Sequence, residues 1–423
     1  MPNIFNRRAV LHGLGLAAAG GLAMPLTAAA NTVSTGAASL VASKFTALDG
    51  RRVGLITNHT GRVGDEHLAD LLSRQSKVRL TAILAPEHGF RGMVEAGEKV
   101  GNARDPNTGV AVHSLYGATR KPTSAMLRDV DCLVFDIQDV GVRFYTYIST
   151  MGLAMQAAAS ARMPFVVLDR PNPLGGDDVS GFVMEAAFKS FVGQYPMPIV
   201  HGMTIGELAR MIKGERWLAG VEKLDLQVLP MQGWRRAMRW PQTGLPWIAT
   251  SPNIPTFESA LAYPGIGIVG ETLVNEGRGT PIPFSQFGAP WIDAHAVAGK
   301  LNALRLPGAR FEATQYTPKS IPNVAAHPRF EGQRINAVHL EITDVAAYKP
   351  LEVGVQALAL LRDAARAAGT PLLDKFDMFQ KIAGTKRLHQ MLEQGASGTQ
   401  ITAAWTDEIA RFRKQRTQYL LYS

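Results

Sequence analysis

Short apolar runs alternate with helix-like segments through the first half of the chain. Runs rich in Val, Ile, Leu and Phe recur at residues 52–58, 78–87, 131–139, 163–169 and 225–231. Apolar residues at helical spacing lie between them, as in 64–74 and 145–161. A continuously apolar strand is typical of parallel sheets that helices cover on both faces. The pattern therefore predicts an α/β fold with a Rossmann-like, doubly wound, mostly parallel sheet.

The second half of the chain has a different pattern. Residues 240–291 are rich in Pro, Gly and aromatic residues, which predicts long structured loops over the strand ends, with a short helix near 255–262. Strand-like segments at 309–318 and 334–344 then follow, with a helical segment at 350–368, in a pattern typical of an α+β unit. We therefore predict a Rossmann-like domain over 31–291 and a smaller C-terminal α+β domain over 292–423.

The N-terminus has the pattern of an export signal. Arg7 and Arg8 precede a Gly/Ala-rich apolar stretch, and small residues stand at Ala28 and Ala30. This order predicts a twin-arginine signal peptide over residues 1–30. No later segment has the run of about 18 apolar residues that a membrane span needs. We expect the mature protein to be soluble and periplasmic.

Charge and cysteine content narrow the chemistry further. The formal net charge of +9 is modest and spread along the chain, without the basic stripe that nucleic-acid binding requires. The single cysteine, Cys132, excludes an intramolecular disulfide and is predicted to be a buried apolar residue. No Cys/His group has zinc-site spacing, and we expect no cofactor.

Two motifs have a structural explanation. The glycines of "GIGIVG" (265–270) match a dinucleotide-binding pattern, but they do not follow a predicted strand, so we interpret them as a chance match. In "GMTIGELA", Thr204 and Glu207 have the spacing of a helix capping box.

Polar residues cluster where the predicted strands end. In open α/β sheets, ligands bind beyond the carboxyl ends of the strands, so one shared site is a better interpretation than separate polar turns. The residues at these ends are Asn58, His59, Glu87, His88, Asp136, Asp139, Asp169, Arg170 and Asn172.

Three motifs contain the candidate chemistry. In "APEHGFRG", Glu87 is a candidate general acid: burial at an apolar strand end raises a carboxyl pKa, whereas His88 and Arg91, if close and cationic, lower it. Half of a metal site is an alternative. "DIQDVGVRFYTY" adds Arg143 and Tyr145, and a helix N-cap explains at most part of it. "NEGRGT" places Asn275, Glu276 and Arg278 between glycines, as in a ligand-binding loop or a plain flexible turn.

Taken in order, nine motifs resemble those of the NamZ-type exo-β-N-acetylmuramidases. They are "GLITNHTG", "APEHGFRG", "DIQDVGVRFYTY", "DRPNPLGG", "HGMTIGEL", "SPNIPT", "YPG", "ETLVNEGRGT" and "PFSQFGAPW". The resemblance implies that 31–291 is a catalytic domain without a nucleotide. It also implies a glycoside hydrolase that releases terminal β-linked N-acetylmuramic acid from the non-reducing end of peptidoglycan fragments. Glu87 matches the suspected acid of the family.

This substrate assigns candidate roles to the other polar residues. The second catalytic group is expected among Asp136, Asp139, Glu258 and Glu276, unless the substrate's own acetamide takes that role. The lactyl carboxylate calls for an arginine, with candidates Arg91, Arg143, Arg170 and Arg278. Further substrate-binding candidates are Asn58, His59, His88, Tyr145, Asn172 and Asn275.

The expected partners are muropeptides or saccharides that contain N-acetylmuramic acid linked to N-acetylglucosamine. Two alternatives stay open at this point. One is a non-catalytic periplasmic muropeptide-binding protein, and the other is a metal-dependent hydrolase.

Overall fold

The computed structural model of the chain describes residues 32–91, 97–99 and 101–423. The predicted signal peptide, 1–30, lies outside the described residues. The described strands are β1 Arg52–Thr57, β2 Arg62–Val63, β3 Glu66–His67, β4 Arg79–Ala85, β5 Ala103–Arg104, β6 Ala111–Ser114, β7 Cys132–Asp136, β8 Phe165–Leu168, β9 Leu226–Leu229, β10 Gln286–Ala289, β11 Ala309–Tyr316 and β12 Ile335–Ile342.

Helices cover both faces of the larger sheet and pack around the smaller one. The described α-helices are α1 Gly36–Ala42, α2 Leu68–Ser73, α3 Tyr147–Ala161, α4 Ile205–Gly214, α5 Phe257–Val269, α6 Ala294–Ala303, α7 Pro350–Ala367, α8 Asp377–Ala383, α9 Arg387–Glu393, α10 Gly398–Ala403 and α11 Thr406–Arg416. In the described part of the chain, no helix is both long and apolar enough to cross a membrane.

In the described part of the chain, the larger sheet has seven strands in the order β5-β6-β4-β1-β7-β8-β9. Its pairs are parallel, except for the short edge strand β5, which runs antiparallel to β6. The chain leaves β1 toward β4 on one side and returns to β7 on the other, so a crevice forms at the carboxyl end of β1. The predicted Rossmann-like, mostly parallel sheet is confirmed.

Each central strand contributes to two apolar cores, one on either face of the sheet. In β7, Leu133 and Phe135 join the larger core with α3 and α4, while Cys132 and Val134 join the core under α1 and α2. Successive strand residues point to opposite faces, so a strand covered on both faces must be apolar throughout. The prediction that Cys132 is a buried apolar residue is confirmed.

The predicted helix over 64–74 is partly wrong. Strands β2 and β3 form a tight antiparallel hairpin here, in which Gly64 takes a φ of 57°. Helix α2 begins only at Leu68, after His67 Nδ1 accepts a hydrogen bond from the Ala69 amide. A two-residue turn is a weak signal beside the apolar spacing of the helix that follows it.

Helix α5 is longer than predicted and contains most of the "GIGIVG" motif. A Cβ atom at Gly265 would lie 2.1 Å from the Pro350 carbonyl oxygen of α7, and one at Gly354 would lie 2.4 Å from the Gly265 Cα atom. The glycines therefore permit close packing of two helices, and the motif is not a phosphate-binding loop. The capping box of Thr204 and Glu207 at the start of α4 is confirmed.

The smaller C-terminal domain is built on an antiparallel sheet with the order β10-β12-β11. Helix α6 packs on this sheet, and α7 packs against α5. The predicted strands near 309–318 and 334–344 and the predicted helix over 350–368 match β11, β12 and α7. Strand β10 was not predicted, because "QFGA" is short and lies in the Pro/Gly-rich stretch. The boundary between residues 291 and 292 stays a prediction.

Candidate active site

Glu87 lies just beyond β4, where the chain turns sharply. His88 and Gly89 both have positive φ, 69° and 76°, which turns the backbone away directly after the carboxylic acid. Glu87 is buried, and its Oε1 accepts a 2.9 Å hydrogen bond from the Gly97 amide. Its Oε2 accepts a 2.5 Å hydrogen bond from the Thr146 hydroxyl, just before α3. Two donors therefore hold the carboxyl group in one orientation.

The phenol of Tyr116 provides a third contact to this carboxyl group. Burial, followed by the charge of Glu87 and a hydrogen bond to it, raises the pKa of Tyr116 to about 12. A phenol with so high a pKa stays protonated at neutral pH and donates to the Glu87 carboxyl group. Neither Tyr116 nor Thr146 was among the residues predicted from sequence.

Glu87 opens into a cavity of about 400 Å³ between the carboxyl edge of the sheet and the C-terminal part of the chain. This volume is within the usual range for small-molecule sites, roughly 300–1,000 Å³. Its described lining consists of Glu87, His88, Gly97, Phe144, Tyr145, Thr146, Val192, Ser251, Asn253, Ile254, Tyr263, Glu271, Arg278, Phe284, Met378 and Ile382. Of the predicted site residues, the structure brings Glu87, His88, Tyr145 and Arg278 together in this lining.

A second acid, Glu271, shares the cavity with Glu87. Burial, and then the charge of Glu276, raise the pKa of Glu271 to about 7. A carboxyl group with this pKa can hold or release a proton near neutral pH, as acid–base catalysis requires. Glu271 begins the motif "ETLVNEGRGT", just after the end of α5. It was not predicted as a site residue, because it does not follow a predicted strand.

The "NEGRGT" motif forms a tight loop rather than a flexible turn. Asn275 Oδ1 accepts from the Gly277 amide, and its Nδ2 donates to the carbonyl of Arg278. Arg278 in turn donates from Nε to Glu276 Oε1 at 2.5 Å. Asn275 therefore organises the loop, and Glu276 orients Arg278, which reaches the cavity.

Aromatic side chains form one wall of the cavity. Tyr145 stands edge-on to Tyr147 and Tyr263, with ring centroids 4.9 and 6.0 Å apart. Burial raises the pKa of the Tyr145 phenol, which therefore stays protonated. Tyr147 supports Tyr145 on the side away from the cavity and is itself fixed by two hydrogen bonds: Asn58 Nδ2 donates to the Tyr147 hydroxyl, which donates to the Thr250 carbonyl.

Asp136 and Arg170 form a buried ion pair outside this lining. Arg170 donates from Nε and Nη2 to the two Asp136 carboxylate oxygens, at 2.6 and 2.9 Å. Both side chains are almost completely buried. The pair connects the ends of β7 and β8, so the geometry favours a structural role for both residues, and their catalytic and binding roles stay predictions.

Arg143 is directed at backbone carbonyls. Its guanidinium donates to the carbonyls of Phe182 and Met197 at 2.9 Å, and to that of Ile382 at 2.6 Å. Burial lowers the pKa of Arg143 to about 9. These contacts attach α8 to the loop that follows β8, which favours a structural role over substrate binding.

Asp139 and Asn172 stabilise the loops after β7 and β8. Asp139 Oδ1 accepts from the Gly141 amide, and burial raises the pKa of Asp139 to about 7. Asn172 accepts from the Leu174 amide and donates to the Met203 carbonyl. Neither residue is part of the cavity lining described above.

The remaining candidates lie apart from the lining. His59 Nε2 lies 2.5 Å from the Ala249 carbonyl oxygen, and burial lowers the pKa of its imidazole. Arg91 pairs with Asp105 at 2.5 Å and stacks on the Phe90 ring. Glu258 is exposed in the first turn of α5. Among the described residues, no group of three His, Cys, Asp or Glu side chains could hold a metal ion.

Fold and cavity together define a class: an α/β protein with buried carboxylic acids in a cavity beyond the parallel strands. Two profiles of the family "Exo-beta-N-acetylmuramidase NamZ" match the chain, the N-terminal one over residues 53–258 and the C-terminal one over 261–422. This chain belongs to that family.

Individual relatives agree over nearly the full length. The chain is 41% identical over 402 residues to peptidoglycan β-N-acetylmuramidase NamZ of Bacillus subtilis (strain 168), covering 94% of this chain and 93% of that protein. Crystal structures of two DUF1343 family proteins from Bacteroides fragilis NCTC 9343 are also similar. One has a TM-score of 0.85 at 38% identity, covering 93% of this chain and 99% of its own. The other has a TM-score of 0.74 at 35% identity, covering 92% and 99%.

Proposed function

We propose that this protein is an exo-acting glycoside hydrolase that releases terminal β-linked N-acetylmuramic acid from the non-reducing end of peptidoglycan fragments. The observation that carries the proposal is the buried Glu87 carboxyl group, held by Thr146 and Gly97 at the wall of a cavity. The relative in Bacillus subtilis acts as a peptidoglycan β-N-acetylmuramidase, which supports the choice of substrate.

Glu87 is proposed as the general acid. It gives its proton to the glycosidic oxygen while the bond from that oxygen to the anomeric carbon breaks, and water supplies the hydroxyl of the released sugar. The walls of Tyr145 and Tyr263 are suited to contact the apolar face of a sugar ring.

Glu271 joins the candidates for the second group, because it shares the cavity with Glu87. As a carboxylate it can act as base, and in either protonation state one of its oxygens can accept a hydrogen bond from the acetamide N–H of the substrate and orient that group, whose oxygen then attacks the anomeric carbon. Both routes consume one water molecule per bond cleaved.

Incubation with a disaccharide of N-acetylmuramic acid β-linked to N-acetylglucosamine tests the function directly. We expect stoichiometric release of the two sugars, measured by chromatography, and no effect of a chelator. Tight binding without release would support the muropeptide-binding alternative, and loss of activity with chelator would support the metal-dependent one.

We also propose that the protein is exported to the periplasm by the twin-arginine route. Arg7 and Arg8 ahead of the apolar stretch support this address. Replacing both by Lys should retain the full-length precursor in the cytoplasm, as measured by fractionation and immunoblotting. An unchanged periplasmic level would contradict the proposal.

A further inference from the structure

Arg278 is the one Arg or Lys side chain among the described residues that line the cavity of Glu87. N-acetylmuramic acid differs from N-acetylglucosamine by a lactyl ether that carries a carboxylate. A cation placed where that carboxylate binds would select the first sugar over the second, and the planar guanidinium of arginine suits a carboxylate best. Because Arg278 is the one Arg or Lys side chain in the described lining, it is the residue best suited to bind the lactyl carboxylate.

The loop holds Arg278 before any ligand binds. Gly277 and Gly279 on either side have φ values of 86° and 80°, and a Cβ atom at Gly279 would lie 2.7 Å from the Lys319 carbonyl oxygen. Tyr316 donates from its hydroxyl to Asn275 Oδ1, at 2.8 Å. A cation on such a preorganised loop loses little conformational entropy when it binds an anion.

The guanidinium keeps donors for a ligand. Within the described part of the chain, its hydrogen bond runs from Nε to Glu276, so the two Nη groups face no hydrogen-bonding acceptor of the protein. About a third of the Arg278 side chain is exposed, toward the cavity. Two neighbouring Nη donors match the two oxygens of one carboxylate.

Glu271 also faces Arg278 in the same cavity. If Glu271 were ionised, its carboxylate would compete with an incoming carboxylate for the same guanidinium. A neutral Glu271 removes this competition and can donate to the ligand instead.

We propose that Arg278 binds the lactyl carboxylate of the substrate, and that Glu271 takes up a proton when this carboxylate binds. The inference rests on the proposed function and names the group that gives the cavity its preference for a carboxylated sugar. Glu276 holds Arg278 in place from the side away from the cavity. The Glu276 carboxyl group itself packs against the end of α5, since a Cβ atom added at Gly270 would lie 2.7 Å from the Glu276 carboxyl carbon.

The charged and titratable groups around Glu271 are consistent with proton uptake. Burial and the charge of Glu276 favour the neutral acid, while Arg278 and Arg329 favour the ionised one, and Tyr263 of α5 faces the same space. Glu87 and His88 line the cavity as well. When the substrate carboxylate binds Arg278, it neutralises the positive charge that favours the ionised form of Glu271, so Glu271 takes up a proton.

The first test compares binding of N-acetylmuramic acid with binding of its lactyl amide, an uncharged analogue of almost the same shape, by calorimetry. Wild type should prefer the acid by about 10- to 100-fold, and Arg278→Met should lose the preference, while Arg278→Lys retains part of it. Arg310→Met is the matched control, since Arg310 pairs with Glu341 on the surface of β11. A preference that survives in Arg278→Met overturns the assignment.

The second test measures proton uptake by titrating the acid at pH 7 in buffers of different ionisation enthalpy. Wild type should take up about half a proton per sugar bound, and Glu271→Gln and the lactyl amide should give a value near zero. Unchanged uptake in Glu271→Gln contradicts the role of Glu271.

Turnover of a chromogenic β-muramide by wild type separates this inference from the proposed function. If wild type cleaves neither the chromogenic β-muramide nor the disaccharide, the proposed hydrolase function is wrong, whatever Arg278 binds. If wild type cleaves both and Arg278→Met keeps its preference for the acid, only the inference is wrong.

Discussion

The Thr146 hydroxyl donates a 2.5 Å hydrogen bond to Glu87 Oε2, although 59 residues separate the two in sequence. Thr146 lies directly before α3, and Glu87 follows β4. The parallel sheet brings these two elements to the same edge, so the orientation of the acid depends on a distant helix. This contact leads to the first two predictions.

Glu87→Gln should abolish most of the turnover, because an amide cannot protonate the leaving oxygen. We expect kcat for a chromogenic β-muramide to fall at least about 10²-fold, with an unchanged circular dichroism spectrum. A folded Glu87→Gln protein with near-normal kcat would show that Glu87 is not the acid. Glu312→Gln, at an exposed glutamate of β11 away from the cavity lining, is the control.

Thr146→Val removes the hydroxyl and keeps the shape of the side chain. The Glu87 carboxyl group then loses one of its orienting donors, so we expect kcat to fall about 10-fold while KM changes little. Thr146→Ser keeps the donor and should restore most of kcat. If serine and valine have the same effect, the methyl packing of Thr146 matters and its hydrogen bond does not.

The ion pair of Asp136 and Arg170 should be worth more to stability than to catalysis. Asp136→Asn leaves the buried guanidinium without a counter-charge, which should cost about 3–5 kcal/mol of unfolding free energy in urea. The Asp136→Asn/Arg170→Met double variant should be less destabilised than the sum of its single variants. A stable Asp136→Asn protein with kcat reduced about 10²-fold would instead support a catalytic role for Asp136.

Glu271→Gln should change the pH dependence of stability. Burial raises the pKa of Glu271 to about 7 in the folded protein, above its ordinary value in the unfolded chain. Burial of this group therefore costs nothing at low pH, costs progressively more stability as pH rises toward 7, and reaches its full cost above pH 7.

The variant should match wild type near pH 4 and be more stable at pH 8, by on the order of 2 kcal/mol. Urea unfolding of both proteins at the two pH values measures this difference. Burial also raises the pKa values of Asp139 and Asp169, but both groups are present in wild type and variant, so their contributions to the stability difference cancel. A constant difference between wild type and variant at both pH values would contradict the raised pKa of Glu271.

The sequence alone predicted the sheet, because the burial of a strand can be predicted from the polarity of its consecutive residues. A run such as "CLVFD" is apolar at every position, which indicates burial on both faces without knowledge of its partners. Thr204 and Glu207 likewise form their capping box within one helical turn. Strands β5 and β6 of the larger sheet, the hairpin before α2 and the short strand β10 were missed, since none has a local pattern of sufficient length.

The tertiary structure decided which polar residues share the cavity. Glu87 was identified from its position at a strand end, but the same rule also selected Asp136, Arg170 and Asn172. Asp136 and Arg170 pair with each other, and Asn172 bonds to Leu174 and Met203. Strand ends lie only a few ångströms apart, and the direction in which each loop turns determines whether a side chain reaches the cavity or a neighbouring strand.

Glu271, Tyr116 and Thr146 had no local signal, because their roles come from the packing of distant segments around Glu87. Their roles depend on burial and on the charges nearby, and neither property can be read from adjacent residues. Apolar spacing thus determined the layers of this fold, whereas long-range packing determined which acids, phenols and cations meet in one cavity.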